Sequence, residues 1–274
     1  MLNILYGALI LAGIMALFMA VHTVYVRQHG GKETQLSCGG CAGRENCEDY
    51  REGGCDGRKM SRYKAVFFDL DGTLLDTAAD LNAAVNAALA PSGFPARTVE
   101  QTRADIGNGT KMLVHRSVPE GTDQKTEAAV FEVFRKYYAQ HASDRTSVYP
   151  GIKGTLTALA GRGLKLAVIT NKNNEVAVPL IRKFFGDRFC CICGWRDGFA
   201  RKPAADMFTY CLNQLKVKPD EVLYVGDTEV DAAFAKNAGA PFVLVTWGCR
   251  DRGKLEQLGA AGVIGKPAEL MQFV

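Results

Sequence analysis

Charged side chains are missing from the start of this chain. Residues 1–26 contain no Asp, Glu, Lys or Arg and are rich in Leu, Ile, Ala, Met, Val and Phe. A helix of about 20 apolar residues crosses the hydrocarbon core of a bilayer. The alternatives are a buried helix and a cleaved signal peptide, which usually has a basic start and a shorter apolar run. We therefore predict a transmembrane helix over residues 1–26.

The chain also lacks any block of Lys and Arg, and its net charge is only +4 over 274 residues. Domains that bind nucleic acid concentrate basic residues on one face, so nucleic acid is not an expected partner. The basic residues nearest to the predicted span are Arg27, His29 and Lys32, and all of them follow it. Basic flanks stay on the cytoplasmic side. We expect a single-pass membrane protein whose larger part faces the cytoplasm.

Residues 27–62 contain few apolar side chains, which predicts a linker without a core of its own. Four cysteines, Cys38, Cys41, Cys47 and Cys55, lie within it. In a reducing compartment a Cys-x-x-Cys pair is typical of soft-metal or redox sites, and four thiolates can hold one tetrahedral ion. A flexible linker whose thiols bind nothing is the alternative. With the apolar helix, the segment resembles the small cysteine-rich membrane proteins of ferrous-iron transport, which implies membrane attachment and metal contact.

From Tyr63 onward, short apolar runs alternate with segments of helical periodicity. This order predicts an α/β fold, a Rossmann-like parallel sheet with helices on both faces. The predicted strands are residues 65–68, 164–169, 189–193, 222–225 and 242–245. The predicted helices are residues 77–90, 125–142, 153–160, 176–185, 204–215 and 230–238.

The interval between the first two strands is helical and too long for a simple crossover. It predicts a helical cap domain, residues 79–148, inserted into a core domain formed by residues 63–78 and 149–274. In open α/β sheets, ligands bind beyond the carboxyl ends of the strands. Reactive side chains are therefore expected at the strand ends.

The first predicted strand ends at Asp69-Leu-Asp71-Gly-Thr73. Two carboxylates separated by one residue lie on the same side of an extended segment and can hold a hard cation such as Mg²⁺. A solvated Asp-Gly turn is the alternative.

Polar residues follow the later strands as well. Thr170 and Asn171 end the second strand, and Lys202 comes after the third. Asp227 and Asp231 follow the fourth, four residues apart, which is about one helical turn. Each has an ordinary structural explanation alone, but their succession indicates one site.

These residues resemble the four motifs of the haloacid dehalogenase superfamily of phosphohydrolases, over residues 63–274. The resemblance implies that Asp69 is a nucleophile that forms an aspartyl-phosphate, and that Asp71 is the acid and base. It also implies Mg²⁺ held by Asp69, Asp227 and the carbonyl of Asp71, and a substrate phosphoryl group bound by Thr170 and Lys202. Asp231 is expected to orient Lys202 or a water on the metal.

Within the superfamily, Ile106-Gly-Asn-Gly109, Tyr149-Pro-Gly151 and Thr170-Asn-Lys172 resemble phosphoglycolate phosphatases. The implied substrate is a small phosphorylated metabolite, with 2-phosphoglycolate the first candidate. Asp71 argues against a dehalogenase, which needs no acid. A phosphosugar mutase, a pyrophosphatase, and a membrane-tethered metal-binding module with secondary phosphatase activity remain alternatives. The residues expected to contact substrate are Thr73, Asn171, Gly107, Asn108, Gly109 and Lys111.

Overall fold

Six parallel strands form the central sheet of the computed structural model, which describes residues 62–274. The predicted membrane helix and the cysteine-rich linker with Cys38, Cys41, Cys47 and Cys55 lie outside those residues. No helix within 62–274 has the length and apolar character needed to span a bilayer. In chain order the strands are β1 (Ala65–Phe68), β2 (Leu75–Asp76), β3 (Ser147–Val148), β4 (Lys165–Asn173), β5 (Cys191–Trp195), β6 (Val222–Gly226), β7 (Phe242–Val245) and β8 (Gly262–Ile264).

The strand order across the sheet is β5-β4-β1-β6-β7-β8. β1 is central, since Ala65 pairs with Lys165 on one side and with Val222 on the other. The helices are α1 (Ala78–Leu89), α2 (Val99–Asp105), α3 (Thr110–Ser117), α4 (Gln124–His141), α5 (Ile152–Gly161), α6 (Asn174–Phe185), α7 (Asp206–Leu215), α8 (Glu229–Asn237) and α9 (Arg252–Glu256). The predicted α/β class with a parallel sheet is therefore confirmed.

Both faces of the sheet are covered, as the unbroken apolar sequence of β1 predicts. Val66 and Phe68 pack with residues of α5 and α6, whereas Phe67 packs on the opposite face with residues of α7 and α8. Alternate side chains of a strand point to opposite faces, so a four-residue strand serves two cores. Burial of each large apolar side chain contributes about 1.5–3 kcal/mol, which holds β1 rigidly at the centre.

Four helices, α1 to α4, form the cap between β2 and β3. They have an apolar core of their own, in which Leu81 and Val85 of α1 pack with Phe134 and Tyr138 of α4. Helix α4 begins at an N-cap, Asp123, whose carboxylate accepts two backbone N–H groups, as short polar side chains at this position commonly do. The cap is thus a small helical bundle.

The chain crosses between core and cap twice, and the two crossings pair with each other. β2 and β3 are antiparallel, with Leu75 opposite Val148 and Asp76 opposite Ser147. The predicted limits of the cap, residues 79 and 148, fall one residue inside α1 and at the end of β3. A two-stranded ribbon is therefore the covalent connection between the two parts.

Candidate active site

The carboxyl ends of three neighbouring strands bring the predicted site residues together. Asp69 follows β1, Thr170 lies in β4 and Asp227 follows β6. The backbone N–H of Asp69 donates to the carbonyl of Val225 at 2.9 Å, which fixes the chain where it leaves β1. Parallel strands end at one edge of a sheet. Residues far apart in sequence therefore meet there.

Lys202 supplies a buried cation to this edge. Its Nζ lies 2.6 Å from Oδ1 of Asp69 and 2.8 Å from Oδ1 of Asp231, and it donates to the hydroxyl of Tyr224 at 3.0 Å. Burial alone would lower the pKa of this ammonium, but the attraction of Asp231 and Asp69 outweighs burial and raises the pKa above its ordinary value. Lys202 is therefore charged and fixes both carboxylates.

Asp231 is held by its own helix terminus. Thr228, the N-cap of α8, donates its hydroxyl to Oδ2 of Asp231 at 2.6 Å in a capping box. Oδ1 accepts from Lys202 and from the hydroxyl of Tyr224, the latter at 2.9 Å. Burial raises the pKa of Asp231, but Lys202 and these hydrogen bonds lower it below its ordinary value. Since both oxygens have donors, Asp231 holds Lys202 in place.

Asp227 is fully buried and receives two donors from neighbouring turns. The hydroxyl of Thr73 donates to Oδ1 at 3.0 Å, and the backbone N–H of Cys249 donates to Oδ2 at 2.7 Å. Burial raises the pKa of Asp227 to about 7, and the nearby charge of Asp231 adds to this effect. Thr73, predicted to contact substrate, thus has its hydroxyl bonded to Asp227.

The environment of Asp69 is electrostatically strained when no cation besides Lys202 is near. Burial raises the pKa of Asp69 well above its ordinary value; Lys202 opposes this shift, while Asp231 and Asp227 reinforce it. One ammonium thus faces three buried carboxylates. A second cation is needed to keep all three ionised.

The carboxylates of Asp69, Asp227 and Asp231 fit a divalent cation. Each offers an oxygen, and the three oxygens lie within 4.8 Å of one another. Oxygen is the donor that Mg²⁺ prefers. Oδ1 of Asp231 is already neutralised by the ammonium of Lys202, whereas the donors to Asp227 are an uncharged hydroxyl and a backbone N–H, so Asp227 together with Asp69 is the better ligand pair. The side chain of Asp71 is not in this group. The atom of Asp71 that was predicted to bind the metal is its backbone carbonyl oxygen.

Asp71 is directed toward the cap. Its Oδ1 accepts from the hydroxyl of Thr77 at 2.8 Å and from Nζ of Lys172 at 2.9 Å, while its Oδ2 lies 3.2 Å from the same Nζ. Lys172 also donates to the hydroxyl of Tyr138 in α4 at 2.6 Å. The two predicted catalytic carboxylates, Asp69 and Asp71, are therefore each paired with a different buried lysine.

A loop of the cap closes over the strand ends. The amide nitrogen of Asn171 donates to the carbonyl of Gly107 at 2.9 Å, and its oxygen accepts the backbone N–H of Lys202 at 2.8 Å. Asn171 therefore ties the cap loop to the segment that carries Lys202. Arg250 adds a second tie by donating to the carbonyl of Ile106 at 3.1 Å.

A cavity of about 30 Å³ remains between this loop and the strand ends. The lining residues are Asp69, Asp71, Leu81, Ile106, Gly107, Gly109, Thr110, Leu113, Thr170, Asn171 and Lys172.

Comparison with known proteins agrees with this geometry. Residues 66–245 match the family model of the haloacid dehalogenase-like hydrolases. The chain belongs to this family. The matched residues include Asp69, Asp71, Thr170, Lys202 and Asp227, so the resemblance noted from the sequence is confirmed.

This hydrolase is similar to proteins named for one activity. It is 35% identical over 220 residues to the phosphoglycolate phosphatase of Chromobacterium violaceum, covering 78% of this chain and 98% of that protein. Phosphoglycolate phosphatase 1 of Pseudomonas aeruginosa is 35% identical over 192 residues, or 68% and 70% of the two chains. A crystal structure from Lactobacillus delbrueckii, proposed to be a phosphoglycolate phosphatase, superposes with a TM-score of 0.73 at 34% identity, covering 77% and 97%. The predicted enzyme class, a phosphatase related to these proteins, is confirmed.

The other residues of the hydrolase that were predicted to contact substrate lie in the cap loop, at the start of α3 and in β4. Gly107 and Gly109 line the cavity, both with positive φ, and a side chain at Gly109 would meet the guanidinium of Arg201. Asn108 is not among the lining residues, and Lys111 is exposed at the start of α3. Thr170 is buried and its hydroxyl accepts the backbone N–H of Lys172 at 3.1 Å.

No pattern in the sequence marks Lys172, Tyr138, Tyr224 or Cys249 as a site residue. Lys172 was visible only as the third member of Thr170-Asn-Lys172. Tyr138 had the spacing of a core residue in α4, and nothing in sequence connects it with β4. Tyr224 lies in the strand before Asp227, where an aromatic side chain predicts only a core. The loop after β7, which carries Cys249, had no recognisable pattern.

Proposed function

We propose that the protein is a Mg²⁺-dependent phosphatase that hydrolyses a small phosphomonoester, 2-phosphoglycolate, through an aspartyl-phosphate on Asp69. The observation that carries this proposal is the pairing of Lys202 with Asp69 and Asp231 beside Asp227. The names of the relatives support the choice of substrate.

In the first half-reaction, a carboxylate oxygen of Asp69 attacks phosphorus and the bond from phosphorus to the ester oxygen breaks. Asp71 gives a proton to that oxygen, which leaves as an alcohol. Lys202 and the hydroxyl of Thr170 bind phosphoryl oxygens. Mg²⁺ held by Asp69 and Asp227 would neutralise the charge that opposes the approach of a carboxylate to a phosphate.

In the second half-reaction, Asp71 takes a proton from water, and the oxygen of that water attacks phosphorus. The acyl-phosphate bond breaks, which releases inorganic phosphate and restores the carboxylate of Asp69. The hydrogen bonds of Asn171 and Arg250 to the cap loop hold this loop against the strand ends, which limits the access of bulk water to the reacting atoms.

Replacement of Asp69 by Asn tests this proposal. Asp69→Asn is expected to abolish Mg²⁺-dependent phosphate release from 2-phosphoglycolate while the thermal unfolding transition remains cooperative. The matched control is Asp187→Asn, since the side chain of Asp187 is 94% exposed, and it should keep wild-type turnover. Full activity in Asp69→Asn would refute the nucleophile.

We also propose, on the sequence alone, that residues 1–26 anchor the enzyme in a membrane with its catalytic part in the cytoplasm. A soft metal ion at Cys38, Cys41, Cys47 and Cys55 remains part of that proposal. Membrane fractionation of the full chain, with alkaline carbonate extraction, tests the anchor. Zinc or iron analysis of the chain and of its Cys38→Ser/Cys41→Ser variant tests the metal.

A further inference from the structure

Besides Lys202, the site contains a second buried lysine, Lys172, which lines the cavity and is not among the residues proposed to bind the phosphoryl group. Lys172 lies two residues beyond Thr170 in β4, which continues to Asn173. Its side chain is 1% exposed. Among the described residues that line the cavity, Lys172 is the only one with a cationic side chain.

The contacts of Lys172 leave it able to bind a further group. An ammonium has three N–H donors. Within residues 62–274, Nζ lies 2.9 and 3.2 Å from the two carboxylate oxygens of Asp71 and donates to the hydroxyl of Tyr138. Those two groups lie on the core and on the cap, so they fix Nζ between them. When one N–H is shared between the two oxygens of Asp71, one N–H is left for a group in the cavity that Lys172 lines.

The position of Lys172 places its ammonium near the leaving group of the substrate. In the proposed reaction Asp71 protonates the ester oxygen, and Nζ of Lys172 lies 2.9 Å from Asp71. A substrate group that accepts a hydrogen bond from Lys172 must therefore lie close to the ester oxygen, in the leaving group. In 2-phosphoglycolate, a carboxylate stands one carbon away from that oxygen.

The charges on the cavity wall also favour a substrate carboxylate beside Lys172. The other ionic side chains on the cavity wall are Asp69 and Asp71, which repel a carboxylate. The rest of the wall is apolar or uncharged, including Leu81, Ile106 and Leu113. An ammonium in such surroundings attracts an anion strongly, because little solvent screens the pair. Lys172 offsets Asp71, and Lys202 offsets Asp69. Of these two lysines, Lys172 is the one on the described wall of the cavity, so an anionic leaving group is best accommodated beside it.

We propose that Lys172 binds the carboxylate of the substrate's leaving group, so that the enzyme selects phosphate esters of small hydroxy acids over esters of neutral alcohols. Tyr138 of the cap holds Nζ in place for this contact. This inference rests on the proposed phosphatase function, and it adds a specificity-determining residue to it.

The test compares three two-carbon esters with the full chain and Mg²⁺: 2-phosphoglycolate, ethyl phosphate and phosphoethanolamine. The wild-type kcat/KM is expected to fall in that order, from anionic through neutral to cationic leaving group. Lys172→Met should lower the ratio of kcat/KM for 2-phosphoglycolate over ethyl phosphate by about 10- to 100-fold, the effect of losing a charged hydrogen bond. Lys153→Met, which removes an exposed lysine of α5, should leave the ratio unchanged.

The ratio of kcat/KM for 2-phosphoglycolate over ethyl phosphate distinguishes two roles of Lys172: binding the substrate carboxylate, and orienting Asp71. If Lys172 only orients Asp71, Lys172→Met will slow both esters equally, which would overturn the proposal. A changed ratio in Lys111→Met but not in Lys172→Met would overturn it too. If Lys172→Met does not fold, the wild-type kcat/KM values for the three esters provide the test. Equal values would refute the proposed selection of anionic leaving groups. Absence of phosphate release from all three esters would instead refute the phosphatase function itself.

Discussion

Nζ of Lys202 lies 2.6 Å from Oδ1 of Asp69, and the same nitrogen lies 2.8 Å from Oδ1 of Asp231. One ammonium therefore joins the proposed nucleophile to the first turn of α8. Breaking a buried ion pair by removing one partner is costly, because the other partner is left charged without compensation. The stability and the reactivity of this site thus depend on the same atom.

Lys202→Met should lower both quantities. We expect the free energy of unfolding without Mg²⁺ to fall by about 3 kcal/mol, as for other broken buried pairs. We expect kcat to fall by about 10²- to 10³-fold, since a preorganised donor to the phosphoryl group is lost. Urea denaturation and phosphate release measure the two, with Lys153→Met as the control. Wild-type stability together with wild-type kcat would contradict the assignment.

Gly72 should be irreplaceable because of its neighbours as well as its backbone. Its φ is +89°, and a Cβ there would collide with the carboxylate of Asp227. Gly93 is a matched control, with φ +68° and nothing within 4 Å of an added Cβ. Gly93→Ala should cost about 1–2 kcal/mol of stability and keep Mg²⁺ binding. Gly72→Ala should lose Mg²⁺ binding, measured by titration calorimetry, and activity; retention of both would contradict the collision.

Mg²⁺ affinity should depend on the ionisation of Asp227. Burial raises the pKa of this carboxyl to about 7, and Mg²⁺ binds the carboxylate, not the acid. The affinity should therefore fall by about tenfold for each pH unit below 7 and level off above it. Calorimetric titrations between pH 5.5 and 8.5 (roughly the window set by this pKa) measure the trend. EDTA should abolish phosphate release, and excess Mg²⁺ should restore it.

The carboxyl of Asp227 should also make the stability of the metal-free protein depend on pH. The ordinary pKa of an aspartate is 3.8, so folding raises the pKa of Asp227. A raised pKa means that the folded state binds the proton more tightly, so this stabilising contribution is lost as pH rises from about 4 to about 7. Asp227→Asn should flatten this part of the curve of melting temperature against pH in EDTA. An identical curve in the variant would contradict the shift.

Asp80 should be essential for the base of the cap, where the segment after α4 leads into β3. It is buried in α1, and its carboxylate accepts the backbone N–H of Arg145 at 2.9 Å and both the N–H and hydroxyl of Thr146, at 2.8 and 2.7 Å. Asp80→Asn would place an amide donor against these donors and should cost about 2 kcal/mol in urea denaturation. Asp220→Asn, at an exposed position, should be neutral. Equal stability of the two variants would contradict this role.

The elements predicted from sequence are those that carry their own local signal. β1, β6 and β7 are short apolar runs with helices on both faces, and their predicted bounds differ from the structure by at most one residue. β4 extends to Asn173, past the predicted end at residue 169, and β5 spans Cys191–Trp195 where residues 189–193 were predicted. Neither extension is apolar throughout, so hydrophobicity does not mark it.

What sequence could not reveal depends on contacts between distant segments. β2 and β3 have two residues each and exist only because they pair with each other. Lys172 meets Asp71 and Tyr138 only after the cap folds over the core. The strand-end aspartates were recognisable since a motif of adjacent residues marks each of them.

The place of β1 in the sheet has a consequence for synthesis of the protein on the ribosome. β1 is among the first strands made, yet its partners are β4 and β6, and β6 ends at Gly226. Until that residue has left the exit tunnel, the strand before Asp69 has an open edge, which is a template for wrong pairing. The cap, whose helices are contiguous in the chain, can fold earlier. Nascent chains that stop before residue 222 should therefore depend on chaperones, and the reactive centre is assembled among the last parts of the molecule.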